Sequence, residues 1–357
     1  MNRRSVGLAV VGAGKIGRHR ARLASAHAGV GFLAIVDQDA AAAEKLAAET
    51  GADFWSTDTD STVLLGEVDA VIVATPEGAH TASVEVALRA GRSTLVEKPI
   101  TLNLDEADHI TRLADQLGVD LRVGYSMRYA QRYAVARQQI AEGKIGTLIG
   151  GLARTYDTLA IGEAILERSP TATPVMDILT YLVDIIGWYH PVAPVEVVAR
   201  SHGSILRSKD HNVDDLTVAL LTFADGAVFE LATSYSLPAG YPINGMATRF
   251  ELLGTDGVLM VTEDHGDQIM YSEVGHDNEY VDQHLRLTFL GSRTSGEWVG
   301  DTMFGRVADE TRAWLDYLTT DRPCHLTTAR EARQTLQITL AIDEAARTGD
   351  TITWEAK

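Results

Sequence analysis

Val6 to Asp37 constrains the fold more than any other stretch of this chain. It reads as an apolar run (Val6 to Val11), the turn Gly12-Ala13-Gly14-Lys15-Ile16-Gly17, helix-compatible residues from Arg18 to His27, a second apolar run from Val30 to Val36, and then Asp37. Strand, glycine-rich turn, helix, strand and acid in that order form the βαβ unit that binds a dinucleotide. Gly12 permits the tight turn, Gly14 leaves no Cβ between backbone and pyrophosphate, and Gly17 lets the helix lie against the strand. The N–H groups around Lys15 and Ile16 open the helix and present its positive end to phosphates. Asp37 stands where a carboxylate accepts the hydroxyls of an adenosine ribose. Its charge opposes a ribose 2′-phosphate and Gln38 supplies no relieving cation, so NAD is expected and NADP disfavoured.

Composition narrows the remaining options. A chain of 357 residues, 45% hydrophobic and 22% charged, is long enough for two cores. No apolar run reaches 18 residues, so no membrane span is expected. Arg3-Arg4 precedes an apolar run, but the phosphate-loop glycines break it and no cleavage site follows. It reads as a first strand, which makes the expected location cytoplasmic. Cys324 is the only cysteine, which excludes an intramolecular disulfide and a thiolate zinc cluster. A net charge of -18 argues against nucleic acid or an anionic membrane as partner. The 11 histidines are scattered and no HExxH occurs, so no metal is expected; Asp214-Asp215 beside His211 reads as a solvated turn.

From Ala40 to Gly124 helix-like and strand-like segments alternate, as in a doubly wound parallel sheet whose ligand lies across the carboxyl ends of its strands. Those ends carry Thr75-Pro76 with His80 nearby, Glu97-Lys98-Pro99, and Gly124-Tyr125-Ser126-Met127-Arg128-Tyr129. Lys98 at such a mouth is held near the ligand crevice; the alternative is a surface cation in an ordinary salt bridge. His80 either touches the nicotinamide half or caps its helix.

Past residue 125 the pattern changes. Strand-like segments at Leu148 to Tyr156, Val195 to Arg200, Leu216 to Phe223, Ala227 to Tyr235, Ala247 to Leu253, Gly257 to Thr262 and Asp267 to Ser272 are separated by turns such as Asp225-Gly226. An open, mostly antiparallel sheet is expected, so the fold class is α/β followed by α+β. Val218, Leu220 and Thr222 alternate with Thr217, Ala219 and Leu221, so both faces are fairly apolar and a partner subunit is expected on one. A helical pattern from Val175 to Trp188 brings Asp177, Tyr181 and Asp184 to i, i+4 and i+7, on one face. Among apolar neighbours, such a face borders a substrate pocket or a water-filled domain interface. Arg154, Tyr156 and Tyr235 are further pocket candidates, and 157–173 reads as a loop able to act as a lid.

GAGKIG with Asp37, TPEGAH, Glu97-Lys98-Pro99, GYSMRY, GKIG at Gly143 to Gly146, FADGAV and LLGTDG resemble the ordered landmarks of the glucose-fructose oxidoreductase and inositol dehydrogenase family. The resemblance covers essentially the whole chain. It implies a nucleotide domain at 1–124, with the helix at 328–348 packing back on it, and a substrate and oligomerisation domain at 125–327. It implies homodimers or homotetramers built sheet to sheet. Many relatives place a catalytic histidine four residues after the helix aspartate; here that position is Tyr181, as in members whose Glu-Lys-Pro lysine and helix tyrosine act together. The implied cofactor contacts are Gly12, Gly14, Lys15, Ile16, Gly17, Asp37, Thr75, Pro76, His80, Glu97, Lys98 and Arg128. Lys98, Tyr181 and Asp177 are the implied catalytic set. The implied activity is hydride exchange between NAD and a carbinol of a sugar, inositol or glycoside. An NADP-linked reductase or dihydrodiol dehydrogenase, and a non-catalytic nucleotide-binding protein, are the competing expectations. A phenol with pKa about 10 becomes a base near neutrality at a cost of roughly 3–4 kcal/mol. One ammonium at about 4 Å supplies about that much at an effective dielectric of about 20.

Overall fold

The computed structural model describes residues 4–238, 246–263, 268–277, 284–291, 296–299, 302–320 and 322–354. The chain divides into two compact units, 1–129 with 296–336, and 130–295 with 337–357.

The first unit opens with β1 (Val6–Val11), α1 (Lys15–Ser25), β2 (Val30–Val36), α2 (Ala40–Thr50), β3 (Phe54–Ser56), α3 (Thr59–Val63), β4 (Ala70–Val73), α4 (His80–Arg89), β5 (Ser93–Glu97), α5 (Leu104–Leu117) and β6 (Leu121–Gly124). These six strands pair in parallel in the order β6-β5-β4-β1-β2-β3. Every residue of β1 and β4 is buried, because helices cover both faces of such a sheet; that is why the strands read as continuous apolar runs. Local signals set the helix ends. Asp39 caps α2 and Asn103 caps α5 through side-chain oxygens, and Gly51 and Gly118 end those helices in the left-handed conformation.

The second unit continues with α6 (Gln131–Ala141), β7 (Leu148–Thr158), α7 (Leu159–Arg168), a π-helical turn (Val175–Leu179) leading into α8 (Thr180–Tyr189), and then β8 (Pro194–His202), β9 (Leu216–Phe223), β10 (Val228–Leu237), β11 (Ala247–Gly254), β12 (Gly257–Thr262), β13 (Gln268–Asp277) and β14 (His284–Gly291). The expected hairpins form at β9/β10 and β11/β12. β7 pairs with β10 in parallel, so the sheet is mixed at its centre. The segment 157–173 is no plain loop, since α7 occupies most of it, capped by Thr158 Oγ1. Register divides the side chains by parity. Ala153, Thr155, Phe229, Leu231, Thr233 and Phe250 lie on the buried face, while Leu152, Arg154, Glu230, Arg249 and Glu251 lie on the open one.

The chain then returns to the first unit through β15 (Gly296–Val299), β16 (Thr302–Gly305), α9 (Arg306–Thr319), β17 (Thr327–Thr328) and the start of α10 (Ala329–Thr348). β17 pairs antiparallel with β6 at the edge of the parallel sheet. The sequence had assigned 296–327 to the second domain. Packing decides otherwise, because Trp314 and Leu315 of α9 join one core with Leu8, Val10, Ile35, Ile72 and Leu95. Only residues 329–336 of α10 belong to this unit; the remainder clusters with the second, as does β18 (Ile352–Thr353), which pairs with β8. Among the described residues no helix is long and apolar enough to cross a membrane.

Candidate functional site

In the first unit the candidate site is the row of loops at the carboxyl ends of the parallel strands. Gly12 has φ +105°, and a Cβ there would lie 2.4 Å from the Ala74 carbonyl oxygen; a Cβ on Gly17 would lie 1.8 Å from that of Gly12. Gly14 is the opposite case, with nothing within 4 Å of its absent Cβ. The loop is closed where protein backbone crowds it and open where a pyrophosphate needs access. Gly14 offers no side-chain cap to α1, so the first N–H groups of the helix, including those of Lys15, Ile16 and Gly17, have no intrahelical acceptor. Asp37 Oδ2 accepts from Ala13 N at 2.6 Å and Oδ1 from Asp39 N at 2.9 Å. A carboxylate has about four lone-pair sites, so capacity for two ribose hydroxyls remains. Thr75 Oγ1, at the end of β4, is buried with no hydrogen-bond partner among the described residues. These features fit a dinucleotide.

Three sequence candidates have other occupations. His80 is buried, with Nδ1 2.9 Å from the Pro99 carbonyl oxygen and Nε2 3.1 Å from that of Thr75. It braces two strand-end loops against each other, in keeping with the packing alternative to a contact with the nicotinamide half. Glu97 Oε1 accepts from Arg20 Nε at 2.8 Å. Arg128 is buried and Nη1 reaches Glu331 Oε1 at 3.1 Å. Burial opposes ionisation of Glu331, yet the Arg128 charge and hydrogen bonds from Thr328 hold its carboxyl below the usual range. Lys98 follows Glu97 directly, and the Lys98–Pro99 peptide is cis.

In the second unit a group of acids gathers where β7 and β10 meet the π-helical turn. Tyr235 Oη donates to Asp177 Oδ2 at 2.8 Å. Burial and the Asp177 charge hold the Tyr235 phenol well above its ordinary range, so it serves as a donor and not as a base. Asp157, which the sequence did not single out, is 4% exposed, and its Oδ1 accepts from Thr158 N at 2.8 Å. Burial pushes its carboxyl up to about 6; the Thr158 bond works against this and the Asp177 charge adds to it. Its signal was present, because Asp157 continues the buried-face parity of Ala153 and Thr155. The helix start is held by Asp177 N to the Thr173 carbonyl at 3.0 Å and by Thr233 Oγ1 to the Pro174 carbonyl at 3.3 Å. The π turn breaks the regular spacing expected for Asp177, Tyr181 and Asp184. Asp177 and Tyr181 are half-buried and Asp184 is buried at 1% exposure.

Arg154 and Tyr156 do not join this group. Register turns them to the open sheet face, where the guanidinium lies 5.0 Å from the Tyr156 ring centroid. They line a cavity of about 200 Å³ with Leu152, Glu230, Arg249 and Glu251. Asp215 also departs from expectation: it is buried, and its carboxylate accepts from the backbone N–H groups of Ser204, Ile205 and Leu206, so it organises a loop and is no solvated turn.

Comparison with known families agrees with both halves. Residues 6–125 match the model described as "Oxidoreductase family, NAD-binding Rossmann fold", and residues 133–260 match the GFO/IDH/MocA C-terminal domain. The chain belongs to the GFO/IDH/MocA oxidoreductase family. Among its relatives in that family, scyllo-inositol 2-dehydrogenase (NAD(+)) of Bacillus subtilis is 28% identical over 263 residues, 71% of this chain and 72% of that protein. Inositol 2-dehydrogenase of Acidothermus cellulolyticus is 26% identical over 322 residues, 89% and 90% of the two chains. The crystal structure of apo scyllo-inositol dehydrogenase from Lactobacillus casei superposes with a TM-score of 0.80 at 21% identity, covering 99% of each chain, which establishes the shared fold.

Proposed function

We propose that this GFO/IDH/MocA member is an NAD-dependent dehydrogenase acting on a secondary alcohol of a polyol, with inositols, free sugars and glycosides as the substrate class. The observation that carries the reading is the phosphate loop: crowded at Gly12 and Gly17, open at Gly14, and fastened at Ala13 by the Asp37 carboxylate, which keeps lone pairs that a ribose could use. The polyol class is supported by the inositol dehydrogenase names of relatives that match 71% and 89% of this chain.

Gly12 to Gly17 and Asp37 would hold the dinucleotide, with Thr75 available to its nicotinamide half. NAD, when bound, supplies the hydride acceptor. The chain supplies the proton chemistry. In the oxidative direction Tyr181 takes the hydroxyl proton, and Lys98 hydrogen-bonds the same oxygen and stabilises its developing charge. Asp177, fixed by Tyr235, accepts from a neighbouring substrate hydroxyl or orients Lys98. Tyr235 cannot replace Tyr181 as the base, because its proton is committed to Asp177.

The open face of the mixed sheet exposes Leu152, Leu220 and Leu253 by 46–48%. A second copy of the chain is the occupant we propose for it, and light scattering that finds only monomers would remove that element. The activity itself is tested by NADH absorbance with a panel of inositols, sugars and glycosides. Reduction of NAD by at least one of them is expected. A panel with no turnover, despite NAD binding by calorimetry, would leave a nucleotide-binding protein without this chemistry.

A further inference from the structure

Beneath the end of β5 a single buried guanidinium ties together elements that the sequence did not connect. Arg20, on α1, is 1% exposed. Its Nε donates to Glu97 Oε1 at 2.8 Å, Nη2 to Glu310 Oε2 at 2.5 Å, and Nη1 to Thr311 Oγ1 at 2.7 Å. Glu310 and Thr311 belong to α9 and are themselves buried. β6 makes room for the group: a Cβ on Gly124 would lie 2.9 Å from Glu97 Oε2 and 3.1 Å from Arg20 Nη2. One cation between two carboxylates leaves a formal charge of -1 under the strand. Burial disfavours the guanidinium charge, and the two carboxylates more than restore it.

The placement gives the tie more than a structural part. Arg20 rides on the helix whose first turn forms the phosphate cradle, and Glu97 is the residue before Lys98. A carboxylate bonded to its chain neighbour's ammonium would quench the charge that the proposed reaction uses. We infer that Arg20 is a positioning residue for Lys98, acting through Glu97: it keeps that carboxylate committed to α1 and α9 and locks the lysine-bearing strand end to the phosphate helix. The inference rests on the role proposed for Lys98, but its first test does not depend on turnover.

The chain has six lysines, so reductive methylation with ¹³C-formaldehyde yields few dimethyl-lysine resonances, and that of Lys98 is identified by its loss in Lys98→Ala. Arg20→Gln removes a cation and releases Glu97, so the Lys98 titration midpoint should rise by about 0.5 unit or more, whereas Arg20→Lys should leave it near the wild-type value. Glu310→Gln removes an anion and should shift the midpoint the other way; this variant decides the matter if Arg20→Gln does not fold. Midpoints unchanged in the folded variants would overturn the inference. Where the substrate panel supplies an activity, Arg20→Gln should lower kcat about 10-fold or more with NAD affinity within about twofold, and should cost nothing further in a Lys98→Ala background. Additive losses in that cycle would mean that Arg20 acts elsewhere. A null panel with a shifted Lys98 midpoint would count against the proposed reaction and not against the tie.

Discussion

The phosphate loop and the acid group at the head of α8 are each built around an aspartate, and they treat it in opposite ways. Asp37 sits at a partly exposed strand tip and accepts from two backbone N–H groups, one in the loop and one two residues on. Asp157 is buried, has a single N–H donor, and faces the charge of a second carboxylate. Asp37 is therefore held ready as an acceptor by local backbone. Asp157 is a group whose ionisation the surrounding fold resists. A nucleotide ribose needs the first kind, and a pocket that manages protons can use the second.

The contrast extends to Tyr181 and Tyr235 of the second unit, and here the largest effect is expected. Tyr181→Phe should keep NAD affinity and lower turnover about 100-fold or more, the scale of a general acid/base contribution. Tyr235→Phe removes only a hydrogen bond to Asp177, so a loss of about 10-fold is expected, near the worth of a bond to a charged group. Steady-state kinetics with calorimetric NAD binding read both. A larger loss at Tyr235 than at Tyr181 would reverse the assignment.

How much of this was legible follows the same division between local and distant causes. The parallel sheet, its order of elements and the phosphate loop could be read because fully buried strands must be apolar throughout and the glycine spacing is local. α9 was assigned to the wrong unit because only the burial of Trp314 and Leu315 among distant strands decides where it packs. Arg20 stood in the sequence only as one of the helix-compatible residues from Arg18 to His27; nothing near it announces Glu310, which lies 290 positions away. Arg154 and Tyr156 were grouped with Asp177 although strand alternation alone, counted from Thr155, places them on the other face. In that instance the information was present and the period of two was not applied.

A middle-sized effect tests the exposed aspartate. Asp37→Ala removes the charge that a ribose 2′-phosphate would meet, so the preference for NAD over NADP should narrow by about 10-fold, equivalent to roughly 1.4 kcal/mol. Dissociation constants of the two cofactors measure it. An unchanged ratio would show that Asp37 serves only to fasten Ala13 and Asp39, and the distinction drawn between the two aspartates would lose its functional half.

The smallest effect concerns Asp157 and has a definite sign. Its folded-state pKa of about 6 lies above the roughly 3.9 of an unfolded aspartate, so the native state holds more protons between those values. Stability should consequently fall as pH rises from about 4 to 6, and above that the whole cost of burying the charge is present. Asp157→Asn keeps an oxygen for Thr158 N and carries no charge, so the variant should be more stable than wild type at pH 7.5, by about 1–2 kcal/mol, and close to it at pH 4.5. Urea unfolding at the two pH values decides it. A variant less stable at pH 7.5 would mean that the carboxylate has compensating partners when ionised, and that Asp157 resembles Asp37 more closely than its burial implies.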